Sequence, residues 1–191
     1  PRAGSGAAGG AGTGMSHEEK RLSGERLFQG AIISVEHDQV LLEDGQIALR
    51  ETVRHPGAVA VLARDGAELL LVRQYRYAVG RELLEIPAGK LEPDEHPLSA
   101  ARRELQEETG CSSGQLIPLG LYYGSPGILD ETIWLYYADI TEHGSQRLDA
   151  DEFLSVERWS PAALEAHIAR GLVSDGKTLS AFLLARSRGL I

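Results

Sequence analysis

Apolar positions along the chain fall into short runs first and into helical spacing later. Phe28–Val35 and Val40–Leu42 read as strands, after a polar lead-in over Ser16–Arg26. Asp44-Gly45 is a two-residue hairpin signal, with Ile47–Val53 as the return strand. Val59–Ala63 and Glu68–Tyr75 flank the turn Asp65-Gly66 and are apolar enough for strands buried on both faces. Glu82–Ile86 is a short strand that runs into a turn at Pro87-Ala88-Gly89. Then the period changes. Leu98, Ala101 and Leu105 lie at helical spacing behind Pro97, and Gly110 can close that helix in a left-handed cap. Strands follow at Gln115–Tyr123, Thr132–Ile140 and Phe153–Trp159, the last reached through a polar loop at Thr141–Asp151. Ser160-Pro161 starts a helix that Gly171 ends. A last helix starts at Ser174 or Asp175 and runs through Arg186, with Leu179, Phe182, Leu183 and Ala185 on its apolar side. This order predicts an α/β fold: a mixed sheet with helices on both faces, preceded by a small N-terminal β domain.

The boundaries follow from the same pattern. Residues 1–14 are almost wholly Gly, Ala and Ser, too little apolar surface to order themselves, and they read as a disordered artificial leader or an upstream extension before Met15. Residues 15–55 form the N-terminal β segment, and residues 56–191 the main domain. The chain has 191 residues, 42% hydrophobic and 25% charged, as expected for one folded domain with a real core. A net charge of −9 argues against nucleic acid as a partner, because the phosphate backbone demands a basic surface. No apolar run reaches membrane-spanning length, and a single cysteine fits a reducing, cytoplasmic setting.

The helix after Pro97 carries the chemistry. Glu104, Glu107 and Glu108 stand at i, i+3 and i+4 and project from one side, where like charges repel by roughly 0.2–0.5 kcal/mol per pair. Such a face is either a solvated acidic surface or a place for a hard divalent cation such as Mg²⁺, which takes carboxylate, water and substrate-phosphate oxygens.

The surrounding stretch decides between them. Gly89–Cys111 reads Gly89, five residues, Glu95, seven residues, Arg103-Glu104-Leu105, any residue, Glu107-Glu108, any residue, Gly110 and Cys111. It resembles the signature box of the Nudix hydrolases at nine specified positions over 23 residues, with Cys111 the one soft match at an apolar position. The resemblance covers about Pro56–Arg188. It implies an α/β/α sandwich and Mg²⁺-dependent cleavage of a nucleoside diphosphate linked to another group, with Mn²⁺ as an alternative ion. Three further features resemble the ADP-ribose pyrophosphatase subgroup. They are Arg73-Gln74-Tyr75-Arg76, the approach Leu84-Glu85-Ile86-Pro87-Ala88-Gly89, and Pro126, sixteen residues past Gly110.

By that resemblance, the metal ligands are Glu104, Glu108 and the backbone carbonyl of Ala88, while Glu107 binds metal or orients a ligand. Glu95 pairs with Arg103, whose fixed charge also restrains Glu107. Arg76 and Glu85 hold substrate, with Arg54 as a further diphosphate contact and Pro126 as the subgroup marker. Phe28 either stacks on adenine or fills a core. The general base comes from a distant loop, Glu152 with Asp151 as its rival, and Glu157 stands at the far strand end. The resemblance also implies a homodimer through the N-terminal segment. Rival readings are another small diphosphate substrate (a sugar nucleotide, NADH or FAD) and a nucleotide-sensing module that does not cleave.

Overall fold

The computed structural model describes residues 17–191. The expectation for residues 1–14 and for a start at Met15 lies outside the described residues. Strands β1 (Lys20–Gln29), β2 (Ser34–Leu41) and β3 (Ile47–Arg54) form an antiparallel sheet in that order. Here the sequence pattern misplaces the first strand. The segment read as a polar lead-in is most of β1, and the chain turns inside the expected strand Phe28–Val35, where the Gly30 N–H donates to the Ile33 carbonyl at 2.8 Å. The reason is that β1 is exposed along its whole length, so no buried face imposes alternation. Ladder bonds and ion pairs such as Arg21–Asp38 (2.9 Å) hold it instead. The hairpin loop between β2 and β3 also differs. Leu42 and Gln46 close it with a 2.8 Å bond, so three residues rather than two make the turn, with Gly45 at φ 84.

The main sheet is built from β4 (Ala58–Asp65), β5 (Glu68–Arg76), β6 (Arg81–Glu85), β7 (Ala88–Lys90), β9 (Leu116–Tyr123), β10 (Thr132–Asp139) and β12 (Leu154–Trp159). Helix α1 (Pro97–Thr109) follows β7, and α2 (Pro161–Ala169) and α3 (Gly176–Ser187) close the chain. A two-strand ribbon joins β8 (Cys111–Ser112) to β11 (Glu142–His143). The long path of the sheet is β12-β5-β4-β10-β9, and β4 and β10 are parallel. The expected turn at Pro87-Ala88-Gly89 is partly a strand. β5 pairs with β4 only over Ala63–Asp65 before diverging, and β7 takes the edge that leaves beside Ala58–Ala60.

Alternation along β4 explains its unbroken apolar run. Val59, Val61 and Ala63 pack with Ala100, Ala101 and Leu105 of α1, while Ala58, Ala60 and Leu62 pack with Leu164 of α2 and Phe182 of α3. Both faces are therefore covered, as an α/β/α sandwich requires. On α3 the apolar side is formed by Thr178, Ala181, Phe182 and Ala185; Leu183, expected there, is 68% exposed. Among the described residues, no helix is long and apolar enough to cross a membrane.

One buried bond fastens α3 to the strand that leads to the signature segment. The Ile86 N–H donates to Thr178 Oγ1 at 2.9 Å, and that hydroxyl donates in turn to Asp175 at 2.5 Å. Thr178→Val keeps the shape but strands the Ile86 N–H. The expected loss is about 1–3 kcal/mol of stability, measured by chemical denaturation.

Candidate active site

Helix α1 is placed by its ends. Pro97 occupies the first turn, His96 Nδ1 accepts from the Leu98 N–H at 3.2 Å, and Gly110 closes the helix at φ 71. With its small and apolar residues against β4, the flank bearing Glu104 and Glu108 is turned toward β7. Glu108 is 1% exposed and Glu104 8% exposed. The Ala88 N–H donates to Glu108 at 3.0 Å. Glu104 lies so close over Gly89 that a Cβ there would meet its carboxylate at 1.9–2.3 Å, so only glycine leaves room. A single guanidinium ties the segment together. Arg103 donates to Glu95 (2.8 and 3.0 Å), Glu104 (2.7 Å), Glu107 (3.0 Å) and the Lys90 carbonyl (3.1 Å).

The charges do not balance. Burial pushes the Glu108 carboxyl up to about 8, and the negative charges of Glu104 and Glu152 add to that against the Ala88 hydrogen bond. Burial also raises Glu104; Arg103 opposes the rise, and Glu107 and Glu152 reinforce it. Two buried carboxylates that resist ionisation in one another's company fit a divalent cation. Among the described residues, no three His, Cys, Asp or Glu side chains converge as a ready-made metal cage. Glu104 and Glu108 offer oxygen donors alone, which suits a hard divalent ion.

Two clefts open beside β7. One, of about 350 Å³, is lined by Arg76, Ala88, Gly89, Glu152, Asp175 and Lys177, among others. The second, of about 300 Å³, includes Arg103, Glu104, Glu107, Asp149 and Glu152. Gly89, Lys90 and Glu152 line both, so Glu152 stands between a lobe that holds Glu104 and Glu107 and a lobe that holds Arg76 and Lys177. In the cationic lobe, Arg76 forms a two-pronged pair with Glu85, both bonds 2.7 Å. Lys177 contacts the same carboxylate and also Asp175, at 2.8 Å. Glu85 is 0% exposed. Burial opposes its charge, but Arg76 and Lys177 more than offset that and hold the carboxyl below its ordinary value. Glu85 therefore serves Arg76 and Lys177 and has no oxygen facing open space.

Other expected residues lie elsewhere. Arg54 pairs with Glu36 (2.9 Å), Asp130 (3.2 Å) and Asp38 (3.7 Å) and lines neither cleft. Pro126 is exposed in a turn whose Ile128 and Leu129 N–H groups donate to Ser125. That loop is bound to β3 through Val53, so Arg54 and Pro126 share one corner of the molecule. Phe28 is 53% exposed and fills no core. Glu157 is taken up by Arg73 at 2.5 Å. Asp151 is exposed and lines neither cleft. Sequence reasoning misses Tyr122 and names Lys177 only within Asp175-Gly176-Lys177-Thr178, a stretch that does not discriminate among substrates; both residues line the cationic lobe. Nothing in the spacing marks Tyr122, whose hydroxyl occupies the space a side chain at Gly176 would need.

The raised Glu108 gives a pH test without metal. Between its ordinary 4.5 and about 8, the unfolded chain has released this proton and the folded chain has kept it. Stability from this group is therefore fully present below about 4.5 and is lost as pH rises toward 8. In EDTA, Glu108→Gln should abolish that part of the pH slope and melt higher than the parent at pH 8, as read by thermal denaturation at both pH values.

Comparison with known proteins agrees with this geometry. The NUDIX domain model matches residues 53–182. An ADP-ribose pyrophosphatase of Bacillus subtilis is 42% identical over 145 residues, covering 74% of this chain and 78% of that protein. A methanol dehydrogenase activator of Bacillus methanolicus is 41% identical over 172 residues, covering 88% and 92%. Among solved structures, an ADP compounds hydrolase superposes with a TM-score of 0.79 at 22% identity, over 91% of this chain and 96% of that one, which is a likeness of fold. With the box intact on α1 and the family match spanning most of the sequence, the chain belongs to the Nudix hydrolase family.

Proposed function

We propose that the protein hydrolyses the diphosphate of ADP-ribose, giving AMP and ribose 5-phosphate, with Mg²⁺ held by Glu104, Glu108 and the Ala88 carbonyl and with Glu107 beside them. The observation that carries this is the place of Glu152 between the lobe of Glu104 and Glu107 and the lobe of Arg76 and Lys177. The relative from Bacillus subtilis supplies the substrate class. A bound divalent ion would neutralise phosphate charge and acidify a coordinated water. The protein's own groups do the rest. Glu152 accepts a proton from the attacking water while the water oxygen bonds to phosphorus, and the bridging P–O bond breaks with its electron pair and oxygen leaving on the other phosphate. Arg76, oriented by Glu85, offers its guanidinium to phosphate oxygens. Arg103 keeps Glu104 and Glu107 aligned. Arg54 and Pro126 belong to a corner tied to β3 and reach substrate only through that loop.

We also propose a cytoplasmic homodimer. All ten residues of β1 are exposed, and Leu22, Leu27 and Phe28 there, with Ile47 and Leu49 of β3, leave apolar area that a second copy can cover. The single cysteine suits a reducing compartment.

Two measurements test these readings. With Mg²⁺, ADP-ribose should be turned over with AMP released, ahead of GDP- and UDP-sugars, NADH and FAD, and Glu152→Gln should lower kcat by about 10²–10⁴-fold with folding intact. Binding without turnover, or full turnover by the variant, would contradict the assignment. Light scattering should give the mass of two chains; the mass of one chain, 20.6 kDa, would contradict the dimer.

A further inference from the structure

The loop that carries Glu152 is fastened to the far end of the metal-ligand helix. The last carbonyls of a helix have no partners within it and must find them elsewhere. At the end of α1 two of them, and the carbonyl of the capping Gly110, are met by one segment. The Gly144 N–H donates to the Gly110 carbonyl (2.6 Å), the Arg147 N–H to the Glu107 carbonyl (2.8 Å), and the Gln146 side-chain amide to the Glu108 carbonyl (2.5 Å). Just upstream, β11 pairs with β8, so His143 lies opposite Cys111. The contact is close enough to dictate sequence. A Cβ on Gly110 would meet the Gly144 carbonyl oxygen at 2.5 Å and Ser145 at 2.9 Å. Gly110 is thus required twice, by its φ of 71 and by the loop lying over it.

This fastening has work to do. Five residues beyond Arg147 the loop brings Glu152, together with Asp149, into the cleft that Glu104 and Glu107 also line. Like charges there push the loop off the helix. Of the three bonds, two come from backbone. The third, from Gln146, depends on a side chain, and it grips the residue whose carboxylate lies under Ala88.

We propose that Gln146 is a positioning residue: by clamping the Glu152 loop to the Glu108 carbonyl, it sets the base against the metal-ligand face of α1. The proposal rests on Glu152 being the base. Gln146 touches no substrate. It fixes the register between two elements that approach one reacting centre from different parts of the chain. Misplacing a catalytic group by about 1 Å can cost on the order of 10²-fold.

The test uses Gln146→Glu at pH 8, which keeps the size but removes the donor. We expect kcat for ADP-ribose to fall about 10–100-fold, with KM and Mn²⁺ affinity (by electron paramagnetic resonance) within about twofold. In a Glu152→Gln background the same change should cost nothing more, because its effect runs through Glu152. Amide exchange at Gly144 and Arg147 should accelerate about tenfold or more, reporting the released loop independently of activity. Unchanged exchange, unchanged kcat, losses that add to those of Glu152→Gln, or a matching fall in Mn²⁺ affinity would each overturn the clamp. A failed clamp leaves Glu152→Gln impaired and Gln146→Glu normal. A failed base assignment leaves Glu152→Gln itself at full turnover, and takes the catalytic purpose of the clamp with it.

Discussion

Two carboxylates buried beside a strand, without enough positive charge to satisfy them, are the constraint on which the rest of this structure depends. Glu108 reaches under Ala88 and Glu104 lies across Gly89, and both would be cheaper in water. They are held there by the apolar packing of α1 on β4 and by the edge of β4 that β5 gives up to β7. Arg103 supplies one positive charge to Glu95, Glu104 and Glu107 together and does not reach Glu108. What remains is a standing demand for a cation, created by the fold and relieved by the chemistry it serves.

The opposite wall solves the converse problem. Glu85 is wholly buried, yet it keeps its charge because Arg76 and Lys177 converge on it. Asp175 anchors Lys177 and caps α3 in the same step, accepting from the Thr178 N–H at 2.9 Å. The cationic side of the cleft is therefore fixed by a helix start, a strand end and one buried carboxylate. Its two cations have their orientation set before any phosphate arrives, which lowers the ordering cost of binding. Glu152 comes from a third element, placed against both walls by a loop that follows the C-terminal end of α1.

Much of this was legible in the sequence, for physical reasons. Val59–Ala63, short and rich in β-branched residues, read as a strand covered on both faces, and the spacing of Glu104, Glu107 and Glu108 put them on one helical side. Pro97 and Gly110 marked the ends of that helix within a residue. What stayed hidden lacked a periodic or capping signature. β1 packs on no core, so its residues carry no alternation to read. The ion pairs of Arg54 with Asp130 and of Lys177 with Glu85 join positions far apart along the chain, and no local pattern encodes them. Glu85 could be marked as a polar residue of the site, but its role as the support of Arg76 depends on how β5 and β6 pair. The loop before Glu152 read as polar and featureless because its bonds are made to helix carbonyls, which any sequence offers.

Whether the buried acids of α1 take up a divalent cation can be decided by counting protons. Mn²⁺ binding should be followed by calorimetry at pH 7 in buffers of different ionisation enthalpy. With Glu108 pushed up to about 8, the parent should release close to one proton per ion bound, and Glu108→Gln distinctly less. Binding without proton release, or equal binding and release by that variant, would contradict the cation site.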